Sequence, residues 1–325
     1  EFATALKELK SAGMKHLIVD LRENPGGYLD AATMIADEFL DDEKLIVYTQ
    51  GLHSPRSDYK ANVAGMFEKG RLALLVDESS ASASEILSGA IQDWDRGVII
   101  GRRTFGKGLV QEQYEMNDGA ALRLTIAKYY TPSGRCIQRS FAGGKDSYEK
   151  AFEHRFETGE LTGRDTVAIQ DTTKYYTAGH RIVYGGGGIK PDVYVPYDTA
   201  RFSAGLLTMI YGENLKALIW DYFRRNRNTQ KDSNIKDFDV RCNGENELTA
   251  KYIASLKTPQ ERKIATRLLS NAKNAAYFKL LIKAQLARFY FRENGFYSIA
   301  TKDDNVVQKA LQVLNSKDYS QIISR

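Results

Sequence analysis

Apolar residues in the first 200 positions fall into short runs separated by polar turns, and the runs are of two kinds. His16-Leu-Ile-Val-Asp20, Arg71-Leu-Ala-Leu-Leu-Val76 and Gly97-Val-Ile-Ile-Gly101 are continuous and bounded by charge or glycine, the pattern of strands covered on both faces. Leu45–Tyr48 and Val193–Val195 are shorter candidates of the same kind, and Ala121–Tyr130 alternates like a half-buried strand. Between the runs the spacing changes to three and four. It predicts a helix over Glu1–Ala12 closed by Gly13, a second near Tyr28–Leu40, and a third after Ser82 that buries Ile86, Leu87, Ala90 and Ile91. Strand and helix in alternation predict an α/β domain over residues 1–200 with a largely parallel sheet and right-handed crossovers.

Residues 141–180 are polar with weak periodicity and read as an excursion from that domain. From about Phe202 the pattern is helix alone, so residues 201–325 are expected to form an all-α C-terminal domain. Thr258-Pro-Gln-Glu261 combines a capping threonine, proline at the first helical position and glutamate at the third, a strong helix start. The helix should run with a break through Ile264, Leu268, Leu269, Leu280 and Leu281 and stop near Gly295. Phe289, Tyr290, Phe291, Phe296 and Tyr297 read as core.

The 325 residues are 42% hydrophobic and 27% charged, ordinary for two globular domains. No apolar run is long enough to span a membrane, and no secretory leader is visible. The chain opens in mid-helix, as though upstream sequence had been removed. Residues 201–325 carry 22 Lys and Arg against 12 Asp and Glu, net +10, while residues 1–200 carry 24 against 29, net −5. The basic charges are spread along helices rather than gathered, so a nucleic-acid partner is not expected. Two cysteines, Cys136 and Cys242, are too few for a disulfide framework or a zinc site, and whether they pair stays open. The four histidines are scattered without metal-ligand spacing, so neither metal nor cofactor is expected.

Candidate chemistry lies where the buried run 71–76 meets the third helix. Asp77-Glu-Ser-Ser-Ala-Ser-Ala-Ser-Glu85 places four serines in six positions. Ser82-Ala-Ser-Glu85 is a capping box, which by itself accounts for a serine there. A strand, a tight turn and a helix also form the setting in which α/β enzymes display a nucleophile at the positive end of a helix dipole. A serine nucleophile needs a base. Lys107, between two glycines in Thr104-Phe-Gly-Lys-Gly108, can serve, because a lysine in a water-poor pocket loses its preference for charge.

Five motifs then occur in one order: DLRENPGG (Asp20–Gly27), SASASE (Ser80–Glu85), TFGKG followed by VQ (Thr104–Gln111), YYTPSG (Tyr129–Gly134) and GGGIKPD (Gly186–Asp192). In this the sequence resembles the C-terminal processing, or tail-specific, proteases over residues 1–198. The resemblance implies a ClpP/crotonase-like protease domain, with Ser82 as nucleophile, Lys107 as general base and Gln111 orienting the lysine. It implies an oxyanion hole from the backbone amides of Gly26 or Gly27 and of Ala83, a structural role for Asp93, and a salt bridge from Arg22 bracing the NPGG turn. It further implies protein or peptide substrates recognised by their C-terminal tails, an upstream PDZ domain, and an exported, periplasmic or envelope-associated setting. Homo-oligomerisation stays open. Two other uses of such a fold compete: a non-catalytic binding module, against which Ser82 and Lys107 together argue, and a crotonase-type acyl-CoA enzyme, which would use oxyanion-hole amides and carboxylates without a lysine partner.

Overall fold

The computed structural model describes residues 1–163, 172–199, 203–228 and 234–324. The first unit comprises Glu1–Pro196 together with Lys309–Arg325, and the second Tyr197–Gln308. Cys136 lies in the first and Cys242 in the second, each as a thiol.

In the first unit the elements run α1 (Phe2–Ser11), β1 (His16–Asp20), α2 (Leu29–Asp37), β2 (Leu45–Gln50), β3 (Ser57–Lys60), β4 (Arg71–Val76), α3 (Ala83–Asp93), β5 (Val98–Gly101), β6 (Leu109–Glu115), β7 (Ala121–Tyr130), α4 (Gly144–Glu157), β8 (Lys174–Tyr176), β9 (Ile182–Tyr184) and β10 (Val193–Tyr194). A four-stranded sheet has the order β1-β4-β5-β10, every pair parallel, with Val19 opposite Leu74 and Ala73 opposite Val98. Leu72 through Val76 are fully buried, because β4 is flanked by strands on both sides and by helices on its faces. Each leucine so buried contributes about 2 kcal/mol. Ala32 and Ala36 of α2 and Ile86, Leu87, Ala90 and Ile91 of α3 close one contiguous core over it.

The strands over 45–50 and 121–130 do not join that sheet. They lie in a second, antiparallel sheet of order β3-β2-β7-β6. Two of its members, Ser57-Asp-Tyr-Lys60 and Leu109–Glu115, are polar edge strands, and an edge strand needs no apolar run.

The second unit is helical: α5 (Ala204–Tyr211), α6 (Glu213–Asn226), α7 (Ile235–Arg241), α8 (Gly244–Ser255), α9 (Pro259–Leu269) and α10 (Ala272–Ala300). Thr258 caps α9 and Glu261 returns the bond to Thr258 N at 2.9 Å. The break falls after Leu269. Rather than stopping near Gly295, α10 kinks at Phe291 and Arg292, where φ is +56° at Arg292, and continues to Ala300. Leu206, Phe238, Leu248, Phe278, Ile282 and Ile299 form its core, against which Tyr290, Phe291 and Phe296 pack.

The boundary expected at 200/201 requires a correction at the C-terminal end, while residues 200–202 themselves lie outside the described residues. After α11 (Asn305–Asn315) the chain ends in α12 (Tyr319–Ile323), and Lys309–Arg325 pack with the first unit. Tyr319 is buried there, its hydroxyl donating to Leu72 O and accepting from Leu72 N, both at 3.0 Å. Arg71 donates to the carbonyls of Leu314 and Ser316 at 2.6 and 2.8 Å. An amphipathic helix shows its apolar face in the sequence but not which core that face covers.

Candidate active site

Three of the motifs leave the carboxyl ends of three adjacent parallel strands: LRENPGG follows β1, DESSASAS follows β4 and RRTFGKG follows β5. Neighbouring parallel strands release their loops on one side of the sheet, which is where open α/β sheets build sites. The strand order 1-4-5 therefore brings Gly26, Ser82 and Lys107 to one edge although the chain separates them.

Ser82 sits at the sharp turn into α3 with φ 56° and ψ −114°, away from every region that a side-chain-bearing residue favours. Such strain is of order 1–3 kcal/mol and persists where the surroundings fix it. Ser80 and Ser84 are held otherwise. The Ser80 hydroxyl is buried, donating to Leu21 O at 2.7 Å and accepting from Asp77 N at 2.9 Å, and the Ser84 hydroxyl donates to Asn24 O at 3.1 Å. Ser82 is the half-buried serine of the three.

The capping glutamate of this turn does more than cap. Glu85 is fully buried, and its carboxylate accepts from Ser82 N (2.9 Å) and Lys107 N (2.9 Å) on Oε2 and from Gly106 N (2.7 Å) and Thr104 Oγ1 (2.5 Å) on Oε1. One side chain thus ties the serine turn to the lysine loop. Burial pushes its carboxyl above the ordinary range, while the Thr104 hydroxyl and the three amides pull the other way. Sequence reading assigned Glu85 to the cap alone, because three of its four donors come from residues 104–107 and are not local.

The glycine turn is fastened to the same place. Asn24 O accepts from Ala81 N at 3.1 Å, and Asn24 Oδ1 accepts from Gly26 N at 2.9 Å. The Gly26 amide is therefore engaged, whereas the amides of Gly27 and Ala83 have no partner among the described residues. Gly26 has φ +97°, and a Cβ there would lie 2.5 Å from Ala81 O and 2.7 Å from Ala83 N. Gly26→Ala is thus expected to push the glycine turn off the serine turn and to lower turnover about 100-fold, the scale of a 1 Å misplacement, with far-ultraviolet circular dichroism unchanged. Wild-type turnover in that variant would show that the contact carries no catalytic geometry. Arg22 pairs with Asp20, Nη2 to Oδ2 at 2.6 Å, at the root of the same turn.

Lys107 is half-buried, and its loop is clamped from the other side by residues of the polar excursion. Arg155 of α4 donates to Arg103 O (2.5 Å) and Thr104 O (3.0 Å), and Glu160 receives both Arg103 (2.7 Å) and Arg155 (3.1 Å). Burial and the nearby Arg103 charge bring the Arg155 guanidinium down to about 10. Arg139 N donates to Gly106 O at 3.0 Å, and its guanidinium lies over the rings of Phe105 (4.3 Å) and Tyr148 (4.0 Å). At Gly106, φ is +88° and a Cβ would meet Arg139 Cγ at 2.6 Å. Gln111 is placed differently from the others: it is exposed on the edge strand β6 beside a bulge between Val110 and Gln111, and its side chain makes no hydrogen bond among the described residues.

Asp93 closes the far end of α3. It forms a buried ion pair with Arg135 at 2.7 Å and accepts from Ser133 N at 3.0 Å, joining the serine helix to the TPSG turn. Thr104 Oγ1 accepts from Ile189 N at 2.6 Å and so fastens the GGGIKPD segment to the lysine loop. Among the described residues no cluster of His, Cys, Asp and Glu is placed to hold a metal ion, and no helix is long and apolar enough to cross a membrane.

Comparison with known proteins finds matches over the stretch that holds these residues. Residues 1–146 match the family model described as peptidase family S41. A carboxyl-terminal-processing protease of Synechocystis is 43% identical over 139 residues, covering 43% of this chain and 32% of its own. The chloroplastic carboxyl-terminal-processing peptidase 3 of Arabidopsis thaliana is 41% identical over 136 residues, covering 41% of this chain and 26% of its own. Among solved structures, a photosystem II D1 C-terminal processing protease aligns with a TM-score of 0.42 at 28% identity, over 61% of this chain and 40% of its own. The chain spans about a third of the length of the curated relatives it matches. Ser82, Lys107, Gln111, Gly26, Gly27, Ala83, Glu85 and Tyr129 all fall inside residues 1–146, the stretch that matches the model of peptidase family S41.

Proposed function

We propose that this protein is a serine endopeptidase that cleaves proteins or peptides near their C-termini through a Ser82–Lys107 dyad and an acyl-enzyme intermediate. The observation that carries the reading is the Glu85 carboxylate, which holds the backbone amides of both residues on a single oxygen. A serine at a strained strand-to-helix turn has its hydroxyl at the positive end of the helix, where a developing negative charge is favoured.

In this mechanism the Lys107 amine takes the proton of the Ser82 hydroxyl as Oγ bonds to the scissile carbonyl carbon. The carbonyl oxygen becomes an oxyanion facing the Ala83 amide and the glycine turn, where Gly27 offers the unengaged amide and Gly26 could join only by giving up Asn24. Lys107 then gives its proton to the leaving nitrogen as the C–N bond breaks. Water, deprotonated by the same amine, cleaves the ester and returns Ser82. Gln111 is assigned to orient the lysine amine, reaching it from the start of β6 when substrate is bound. Recognition of the substrate tail by an upstream PDZ domain, and an exported, periplasmic or envelope-associated setting, belong to the same reading.

A fluorophosphonate probe tests it, since it reacts with activated serines and not with binding modules or acyl-CoA enzymes. Peptide mapping of the full-length protein is expected to find the adduct on Ser82. An unlabelled protein, or a label on Ser80 or Ser84, would refute the assignment.

A further inference from the structure

The Lys107 and Ser82 backbones are held at their carbonyl ends as well as at their amides. Tyr129, on β7, is 2% exposed, and its hydroxyl donates to Ser82 O at 3.1 Å and to Lys107 O. One proton shared between two carbonyls is a three-centre bond. The Ser82 carbonyl also takes the amides of Glu85 and Ile86, as the carbonyl before a helix does, but the Lys107 carbonyl has Tyr129 as its sole hydrogen-bond partner among the described residues. Tyr129 itself is fixed from three directions: its amide donates to Gly108 O at 3.0 Å, it pairs with Thr49 of β2, and its ring lies in the main core.

From this arrangement we infer that Tyr129 is a positioning residue of the peptidase, its hydroxyl fixing the Lys107 peptide against the Ser82 turn so that the amine stands within reach of the nucleophile. The inference rests on the dyad proposed above. Glu85 on the amide side and Tyr129 on the carbonyl side make a frame that joins two loops 25 positions apart in the chain. The phenol remains a donor throughout the working pH range: burial, and after it the Glu85 charge, push its ionisation well above the ordinary value. Its neighbour Tyr130 is different, since that ring stacks on Tyr48 at 4.8 Å and is held by the second sheet.

The test is Tyr129→Phe in the full-length protein, which deletes the hydroxyl and keeps the ring, with Tyr130→Phe as control. With a quenched-fluorescence peptide bearing a free C-terminal carboxylate, kcat should fall about ten-fold with KM unchanged, at a temperature where circular dichroism shows both proteins folded. Because the effect runs through Lys107, adding Tyr129→Phe to Lys107→Arg should slow fluorophosphonate labelling of Ser82 no further. Wild-type kcat in Tyr129→Phe, or losses that multiply in the double variant, would overturn the inference. Ser82→Ala separates the two levels. If it still cleaves the peptide, the dyad itself is wrong; if it is inert while Tyr129→Phe runs at full speed, only the role of Tyr129 falls.

Discussion

Replacing Ser82 with alanine is expected to reduce peptide cleavage to background, a loss on the order of 10⁶-fold where a nucleophile is removed from a site of this kind. The fold should survive. Alanine loses only the hydroxyl, and the Ser82 backbone bonds to Glu85 remain. Alanine also keeps the cost of φ 56°, so its melting temperature should stay near wild type, whereas Ser82→Gly should be equally inactive yet more stable, by about 1 kcal/mol, because glycine accepts positive φ freely. That pairing of lost activity with gained stability distinguishes a strained nucleophile from a cap, since a capping serine replaced by glycine costs a few tenths of a kcal/mol. Ser84→Ala is expected to keep most of the turnover, its hydroxyl serving only Asn24 O. Ser80→Ala should act on stability, because the buried Asp77 amide loses its acceptor and Leu21 O keeps only Asn24 N, at a cost of about 1–3 kcal/mol. Peptide cleavage at the wild-type rate by Ser82→Ala would end the assignment.

The sequence was readable where one physical cause dominated. Leu72–Val76 must be apolar at every position because both faces of β4 are covered, and the run is therefore visible without any partner being known. Gly26 was readable as a turn, but its contact with Ala81 O and Ala83 N depends on β1 and β4 lying side by side. The excursion after residue 140 shows only a weak period because the buried face of α4 is short and partly charged. Its inward face is only Tyr148, Ala151, Phe152 and Arg155, held by charge between Arg155 and Glu160 and by the Arg139 guanidinium against Tyr148 and Phe152, too few apolar residues to stand out in so polar a segment. Leu109–Glu115 is an edge strand exposed on both faces from Gln111 onward, so nothing imposes alternation there. Glu85 and Tyr129 were in view as a cap and as part of YYTPSG. Their bonds to both Ser82 and Lys107 arise only once three separate segments converge.

Lys107→Arg is the second large effect expected, a loss of about 10²–10⁴-fold in kcat, the contribution of a positioned general base. The substitution keeps length and positive charge, so a lysine acting as a surface charge or as an anchor for an acidic group would tolerate it. A general base would not. Guanidinium stays protonated at any pH the fold survives and has no lone pair to accept the Ser82 proton. The main-chain anchors do not depend on the side chain: Glu85 still receives the residue-107 amide and Tyr129 still donates to its carbonyl, so the loop should hold its place and the melting temperature should change little. Fluorophosphonate labelling should slow along with peptide turnover, because both need Ser82 deprotonated as it attacks. Lys107→Ala should lose as much, and added primary amines of low molecular weight should restore part of its rate but none of the arginine variant's, whose side chain fills the space. Turnover of the arginine variant near wild type would remove the lysine from the chemistry and leave Ser82 as the cap of α3.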